Sequence, residues 1–222
     1  KKMWCVPKLT PIFRERMDDI LKLYTEPLPE GHEVHNFDET PKQLLGTPHG
    51  VLPMSQGIPC RRDYQYARNG HRNIFVAVAP FQGSRTVAVT DRRTAIDTAS
   101  FLWWYCMENH KQALHIHLIL DNLNTHTKNL LRPVWGQEKT EAFFKRVTFH
   151  YTPCHASWLN LAELEINCLK TQGMGKRLGT EEILKRTIKE IVRHRNKNKR
   201  RLSWSFTQAK AKRKWPELYI EN

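Results

Sequence analysis

His115-Ile116-His117-Leu118-Ile119-Leu120-Asp121-Asn122 is the stretch on which the architecture turns. Ile116, Leu118, Ile119 and Leu120 make the run apolar on both faces, which a strand tolerates only in the interior of a sheet with helices packed above and below. The run stops on an acid. An aspartate at the lip of a central strand is partly desolvated, and it is costly there unless it holds a cation or caps the helix that follows. Both readings stay open for this segment alone, with Asp121 or Asn122 as the cap and Thr125 and His126 as turn residues.

On the N-terminal side, residues 73–80 (Asn73 to Pro80) and 84–90 (Ser84 to Thr90) are β-rich runs joined across Phe81-Gln82-Gly83, the pattern of a hairpin. A shorter run, Glu33-Val34-His35-Asn36-Phe37, ends on a second acid, Asp38, with Glu39 beside it as a competitor for any role Asp38 plays. Val147 to Tyr151 reads as a fifth strand. Thr10 is placed to cap a helix over 10–25, with Pro11 in its first turn and Phe13, Met17, Ile20, Leu21 and Tyr24 on one face. Further helices are expected at 94–109, where Ile96, Phe101 and Tyr105 are among the apolar positions, and at about 158–172 and 180–198, with a helical or mixed region before strand five. Residues 39–70, rich in proline and glycine, read as an irregular surface excursion. The order implies an α/β fold, a mixed five-stranded sheet flanked by helices, with function gathered at the carboxyl ends of the strands.

The third acid is Glu163, 42 positions after Asp121. Its helix buries Leu159, Ala162, Ile166 and Leu169 as a stripe, with Asn160, Glu163 and Asn167 on the polar edge beside it. Glu165 points about 160° away from Glu163 at 100° per residue. Taken singly, Glu163 reads equally as a boundary glutamate. Taken together, three carboxylates at one end of a sheet would repel one another, and the arrangement makes sense around divalent metal. Carboxylate oxygens without cysteine or an evident histidine pair favour Mg²⁺ or Mn²⁺ over Zn²⁺. Acids so placed are what a two-metal phosphoryl-transfer site is built from.

The charge agrees with a polyanionic partner. The 222 residues carry a net charge of +14, and residues 170–214 hold 16 Lys and Arg against three acids, while the remainder hold 20 against 19. Such a stretch is either a solvated helix face or a surface that meets nucleic acid. Arg193, Arg195, Lys199 and Arg200 are the candidate DNA contacts, the first two on the solvent side of a helix that buries Leu184 and Ile188 and the last two in the tail that follows it. Five scattered cysteines without a C-x-x-C pair point to a reducing compartment. His150, Cys154 and His155 cluster but lack a second ligand pair for zinc. No apolar run approaches the length of a membrane span. The chain begins Lys1-Lys2-Met3-Trp4 and is expected to be a fragment of something longer.

Trp4-Cys5-Val6-Pro7, Phe37-Asp38-Glu39-Thr40-Pro41-Lys42-Gln43, Tyr66-Ala67-Arg68-Asn69-Gly70, Asp121-Asn122-Leu123-Asn124-Thr125-His126, His155-Ala156-Ser157-Trp158-Leu159-Asn160-Leu161-Ala162-Glu163 and Trp204-Ser205-Phe206-Thr207 resemble the catalytic domain of insertion sequence 630 transposases, of the mariner superfamily. The resemblance covers almost the whole chain. It implies a ribonuclease-H-like fold over 33–198, after a linker and N-terminal helix (1–32) and before a basic C-terminal tail (199–222). It also implies that Asp38, Asp121 and Glu163 form a catalytic triad holding two Mg²⁺ ions, for which Mn²⁺ can substitute. The implied reaction is hydrolysis at transposon ends in double-stranded DNA, then attack of the freed 3′-hydroxyl on target DNA, in a homodimeric complex in the bacterial cytoplasm. Three departures stand out. The given sequence does not supply the N-terminal helix-turn-helix region that family members carry, Asn36 and Phe37 make strand one more polar than usual, and glycines occupy 173 and 175 where the last acid's helix is expected to continue. A nuclease or integrase that cuts without transposing, and a domesticated transposase that only binds DNA, share the same acids.

Overall fold

The computed structural model describes residues 9–121 and 128–220. The Trp4–Pro7 motif, and the readings of Asn122, Thr125 and His126 as cap and turn residues, lie outside them. The strands are β1 (His32–Gly46), β2 (Val51–Leu52), β3 (Arg61–Arg62), β4 (Ala67–Ala79), β5 (Ser84–Thr90), β6 (His115–Leu120) and β7 (Val147–Tyr151). The helices are α1 (Pro11–Thr25), α2 (Ala95–Trp103), α3 (Lys128–Arg146), α4 (Leu161–Leu169), α5 (Glu181–Lys197) and α6 (Gln208–Lys214). Five strands form one mixed sheet in the order β5-β4-β1-β6-β7, with β2 and β3 as a separate pair. This is the ribonuclease-H-like arrangement. The central β6 runs parallel to β1 and β7, and β4 is antiparallel to both β1 and β5.

Local chemistry sets the element ends. Thr10 caps α1 through its hydroxyl on the Phe13 N–H at 3.1 Å, and Pro11 fills the first turn. Thr94 and Asp97 form a reciprocal capping box on α2. The β4–β5 turn closes at Gly83, whose φ of +71° and packing against the Lys199 carbonyl both require the missing side chain.

Phe37, Phe75, Phe101, Tyr105, Leu118 and Phe143 fill one face of the sheet under α2 and α3. On the other face, α1 buries Met17, Ile20 and Leu21, while α4 and α5 bury Ile166, Leu169, Leu184 and Ile188 against Ile74, Val76 and Val78.

Several sequence expectations change. β1 continues to Gly46, paired with β4 back to Ala67, so the first and last parts of the 39–70 excursion form a ladder that projects beyond the sheet. Pro41 is accommodated because the β6 pairing extends only to Asn36, leaving an open edge beyond it. Ile96 is exposed. The stretch read as a tail from 199 contains α6, and Leu202, Trp204, Phe206, Ala211, Trp215 and Leu218 pack with α1. The helix of Glu163 runs up to its glycines. It widens into a π-helical turn over Lys170–Met174, breaks from helical backbone at Gly173 and ends with Gly175 as its cap, and a Cβ on Gly173 would fall 2.7 Å from Thr187 Cγ2 of α5.

Arg195 is a correction of the same kind. It is 6% exposed, and its guanidinium donates to Glu165 at 2.6 and 2.9 Å, while Arg85 Nε donates to the same carboxylate at 2.9 Å. Arg195 therefore pins α5 to α4 and does not face solvent with the other cations. Glu165 lies three residues after Ala162 and four before Leu169, on the buried stripe itself, so an acid there demands a buried cation. Removing one partner strands the others: Glu165→Ala should destabilise the fold by about 3–5 kcal/mol. Arg193→Ala, on an exposed side chain, should change it by no more than about 0.5 kcal/mol. Urea unfolding of both variants checks the contrast.

Candidate active site at the carboxyl edge of the sheet

Asp38, Asp121 and Glu163 come from three different elements. In the β1–β6 ladder Asn36 sits opposite Ile119, so continuing that register by two residues sets Asp38 opposite Asp121, just past the end of β6. Strand alternation puts Val34, Asn36, Asp38 and Thr40 on the face covered by α1 and α4, and His35, Phe37 and Glu39 on the other. Asp38 and Glu163 line one polar pocket of about 270 Å³ with Thr40, Ile166, Asn167 and Lys170; Glu39 also borders it. The carboxylate of Glu39 lies 3.6 Å from Arg93 Nη1 and is almost wholly buried.

The electrostatics reflect this crowding. Burial, with the negative charge of Asp121, Glu39 and Glu163, pushes the Asp38 carboxyl up to about 7, against the pull of its own hydrogen bond from the Glu39 N–H at 2.8 Å. A carboxyl so disfavoured in its charged form gains most from a cation placed beside it.

α4 is fastened over this edge by a buried polar lock. Asn160 caps the helix, accepting from the Ala162 N–H at 3.1 Å, and its amide donates to the Phe37 carbonyl at 2.8 Å, one residue before Asp38. Asn36 Oδ1 accepts from the Leu161 N–H at 2.9 Å. The Tyr24 hydroxyl, a single donor, lies 2.6 Å from Asn36 Oδ1 and 2.8 Å from the Leu159 carbonyl; burial keeps it protonated by raising its pKa. Asn160 is therefore not on the open polar edge that helical spacing suggested. Leu159, Ala162, Ile166 and Leu169 are all buried, as that spacing requires, and Glu163 is left at the margin between helix and sheet.

Sequence reasoning missed Tyr24, Asn36, Thr40 and Lys170. Lys170 had a signal, since it follows Glu163 by seven residues and so returns to the same side of the helix. Asn36 and Tyr24 had none, because their partnership joins two segments through a third.

The basic surface lies on α5. Lys185, Lys189 and Arg193 line a groove of about 420 Å³ with Val87, Val89, Ile188 and Val192. Arg193, Lys199 and Arg200 are exposed. Arg193 pairs with Glu190 at 3.1 Å. Among the described residues no helix is long and apolar enough to cross a membrane. His150 is engaged with His117 at 3.0 Å and Asp19 at 2.6 Å, away from any zinc cluster with Cys154 and His155.

Among solved structures, the chain is similar to the Mos1 strand transfer complex, with 14% identity and a TM-score of 0.55 over 90% of this chain and 62% of that one. It is also similar to the Mos1 mariner paired end complex with Mn (12%, 0.52, 89% and 65%). A pre-cleavage Mos1 transpososome gives 12%, 0.51, 89% and 65%. At such identities the likeness is one of fold, and the chain spans less than two thirds of the length of those chains. No curated protein matches. A family model described as DDE superfamily endonuclease matches residues 33–185, well over half of the sequence and spanning all three acids. The chain therefore belongs to the DDE superfamily endonucleases.

Proposed function

We propose that this chain is the catalytic part of a DNA transposase of the insertion sequence 630 type, within the mariner superfamily, and that Asp38, Asp121 and Glu163 are its catalytic, metal-holding residues. The observation that carries this is the convergence of an acid from β1, an acid from the end of β6 and an acid from α4 on one polar edge, with the Asp38 carboxyl pushed up to about 7 by burial and by its neighbours' charge. The donor set fits Mg²⁺ or Mn²⁺: hard carboxylate oxygens in a polar pocket without sulfur or imidazole. When bound, two such ions lower the pKa of an attacking water or 3′-hydroxyl and offset charge on the leaving oxygen.

The chain's own residues do the rest. Asp38 and Asp121, side by side on the sheet, supply a fixed base, and Glu163 closes the site from α4. Asn160 and Asn36 hold that helix at constant height over β1. Lys170, at the pocket rim, is placed for a phosphate of the bound strand. Arg193, Lys199 and Arg200, with Lys185 and Lys189 along the groove, would hold the duplex through its backbone, which positions DNA without reading sequence. Joining two transposon ends to target DNA requires two copies of the chain.

Strand transfer separates this function from simple nuclease action. With Mg²⁺ and a pre-cleaved transposon end carrying a free 3′-hydroxyl, the full-length protein should join that end to a target duplex. Cleavage without joining would reduce the chain to a nuclease. Asp38→Asn, Asp121→Asn and Glu163→Gln should each lower the joining rate by more than the roughly 10–100-fold that outer-shell changes cost at metal sites.

A stability test follows from the Asp38 pKa. The folded value, about 7, lies above the ordinary carboxylate value of 3.8, so the ionised form is disfavoured by folding. The penalty is absent below about pH 4, grows between the two values and is complete above about pH 7. Without divalent metal, Asp38→Asn should therefore melt higher than the parent at pH 8 and match it at pH 4. Adding Mg²⁺ should raise the melting temperature of the parent and not of the variant.

DNA binding should weaken steeply with salt on duplexes of unrelated sequence. Replacing Arg193, Lys199 and Arg200 with Gln should flatten the slope of log K against log salt by roughly 0.9 for each phosphate no longer neutralised, and fluorescence-anisotropy titrations measure it.

A further inference from the structure

On the face of β1 away from the carboxylate edge, Glu33 and His35 point the same way, two residues apart, and His110 follows the π-helical turn (Trp104–Asn109) that ends α2. His35 Nε2 lies 2.7 Å from Glu33 Oε2, and His110 Nδ1 lies 3.5 Å from the same oxygen. The two imidazole rings meet edge to face at 4.5 Å. One donor atom from each of the three side chains can be chosen so that all lie within 4.8 Å of one another.

We propose that Glu33, His35 and His110 form a second metal site, selective for a transition-metal ion of the Zn²⁺ class and separate from the Asp38, Asp121 and Glu163 site. Two imidazole nitrogens and one carboxylate oxygen are the donors that such ions take, with a coordination position left open, whereas Mg²⁺ prefers oxygen. The size is right. With bonds of about 2.0–2.1 Å, the edge of a tetrahedral site spans about 3.3 Å. The Glu33–His110 separation already matches it, and the Glu33–His35 separation needs to open by about half an ångström, within reach of a flexible glutamate.

The surroundings support ligand roles. The Tyr105 hydroxyl, buried, lies 2.6 Å from His35 Nδ1 and can accept that N–H, leaving the Nε2 lone pair for the ion; such an outer partner fixes the tautomer of a ligating histidine. His35 is fully buried, while Glu33 and His110 keep 25% and 16% of their side chains exposed, which gives an ion a way in. Glu33 and Asp38 are five residues apart on an extended strand, about 16 Å at roughly 3.3 Å per residue. A bound ion would tie the start of β1 to the end of α2, stabilising the fold without entering the reaction.

The test uses Zn²⁺ and Co²⁺ on the full chain, with saturating Mg²⁺ present to occupy the carboxylate edge. One equivalent of Co²⁺ should give visible d–d absorption of a tetrahedral or five-coordinate site, displaced by Zn²⁺, and Zn²⁺ should raise the melting temperature. His110→Ala and Glu33→Gln should each weaken Co²⁺ affinity at least tenfold while circular dichroism stays that of the parent. His35→Ala is avoided because that side chain is buried. Asp38→Asn should leave Co²⁺ binding unchanged. His117→Ala serves as the control for the imidazole chain that links His32, His117 and His150 on the opposite face. Absence of a saturable Co²⁺ site overturns the proposal. So does affinity indifferent to both His110→Ala and Glu33→Gln, or affinity lost in His117→Ala and kept in His110→Ala.

Discussion

Two aspartates at neighbouring positions on parallel strands are the feature around which this molecule is organised. The β1–β6 register leaves Asp38 beside Asp121, and α4 brings Glu163 to the same edge, so like charges are gathered where water is partly excluded. Such a place is unfavourable for the isolated protein, and a cation beside it would offset the repulsion. The rest of the fold supplies the rigidity that keeps them from moving apart. β6 is buried on both faces and held between β1 and β7, and Phe37, next to Asp38, is locked under Phe75 and Phe101.

Two buried polar assemblies divide the work of holding α4. Ahead of Glu163, Tyr24, Asn36 and Asn160 tie the start of the helix to β1 and α1 with neutral hydrogen bonds. Behind it, Glu165 binds Arg85 of β5 and Arg195 of α5, and Arg85 also donates to the Arg200 carbonyl. The helix is therefore anchored to four other segments on either side of Glu163. Buried polar contacts of this kind specify one arrangement more sharply than apolar contact does, since a shift would break hydrogen bonds that water cannot replace. The backbone of Glu163 is thus held at the margin between helix and sheet by bonds on both sides of it.

The positive charge is divided between interior and surface. One arginine of the α5 stretch turns inside, to Glu165, while its neighbours along the same helix remain at the surface. The C-terminal segment is fixed in turn by Trp204, Phe206, Trp215 and Leu218 on α1, so Lys199 and Arg200 lie between two packed elements and not on a loose end.

Much of the fold was legible in the sequence because it rests on local periodicity. The two-faced apolar run at 115–120 required an interior strand, the Phe81-Gln82-Gly83 turn required a hairpin, and Thr10 supplied a helix cap where α1 begins. The three acids drew notice for the same reason: Asp121 follows an apolar strand, Glu163 borders an apolar stripe, and Asp38 follows the short run that opens β1, although β1 itself carries on to Gly46. What spacing could not reveal were partnerships between distant segments. Nothing in β1 alone says that Asn36 will accept from α1 and α4 at once, that Arg195 will turn inward to an acid 30 residues earlier, or that β1 will run on through Pro41 to Gly46. Those outcomes depend on which neighbours each residue meets, and in particular on where β6 stops covering β1. Local pattern thus settled the elements and the chemistry available to them. Packing of distant segments chose which buried polar groups face each other, because the cost of burying a charge or an amide depends on the partner that arrives with it.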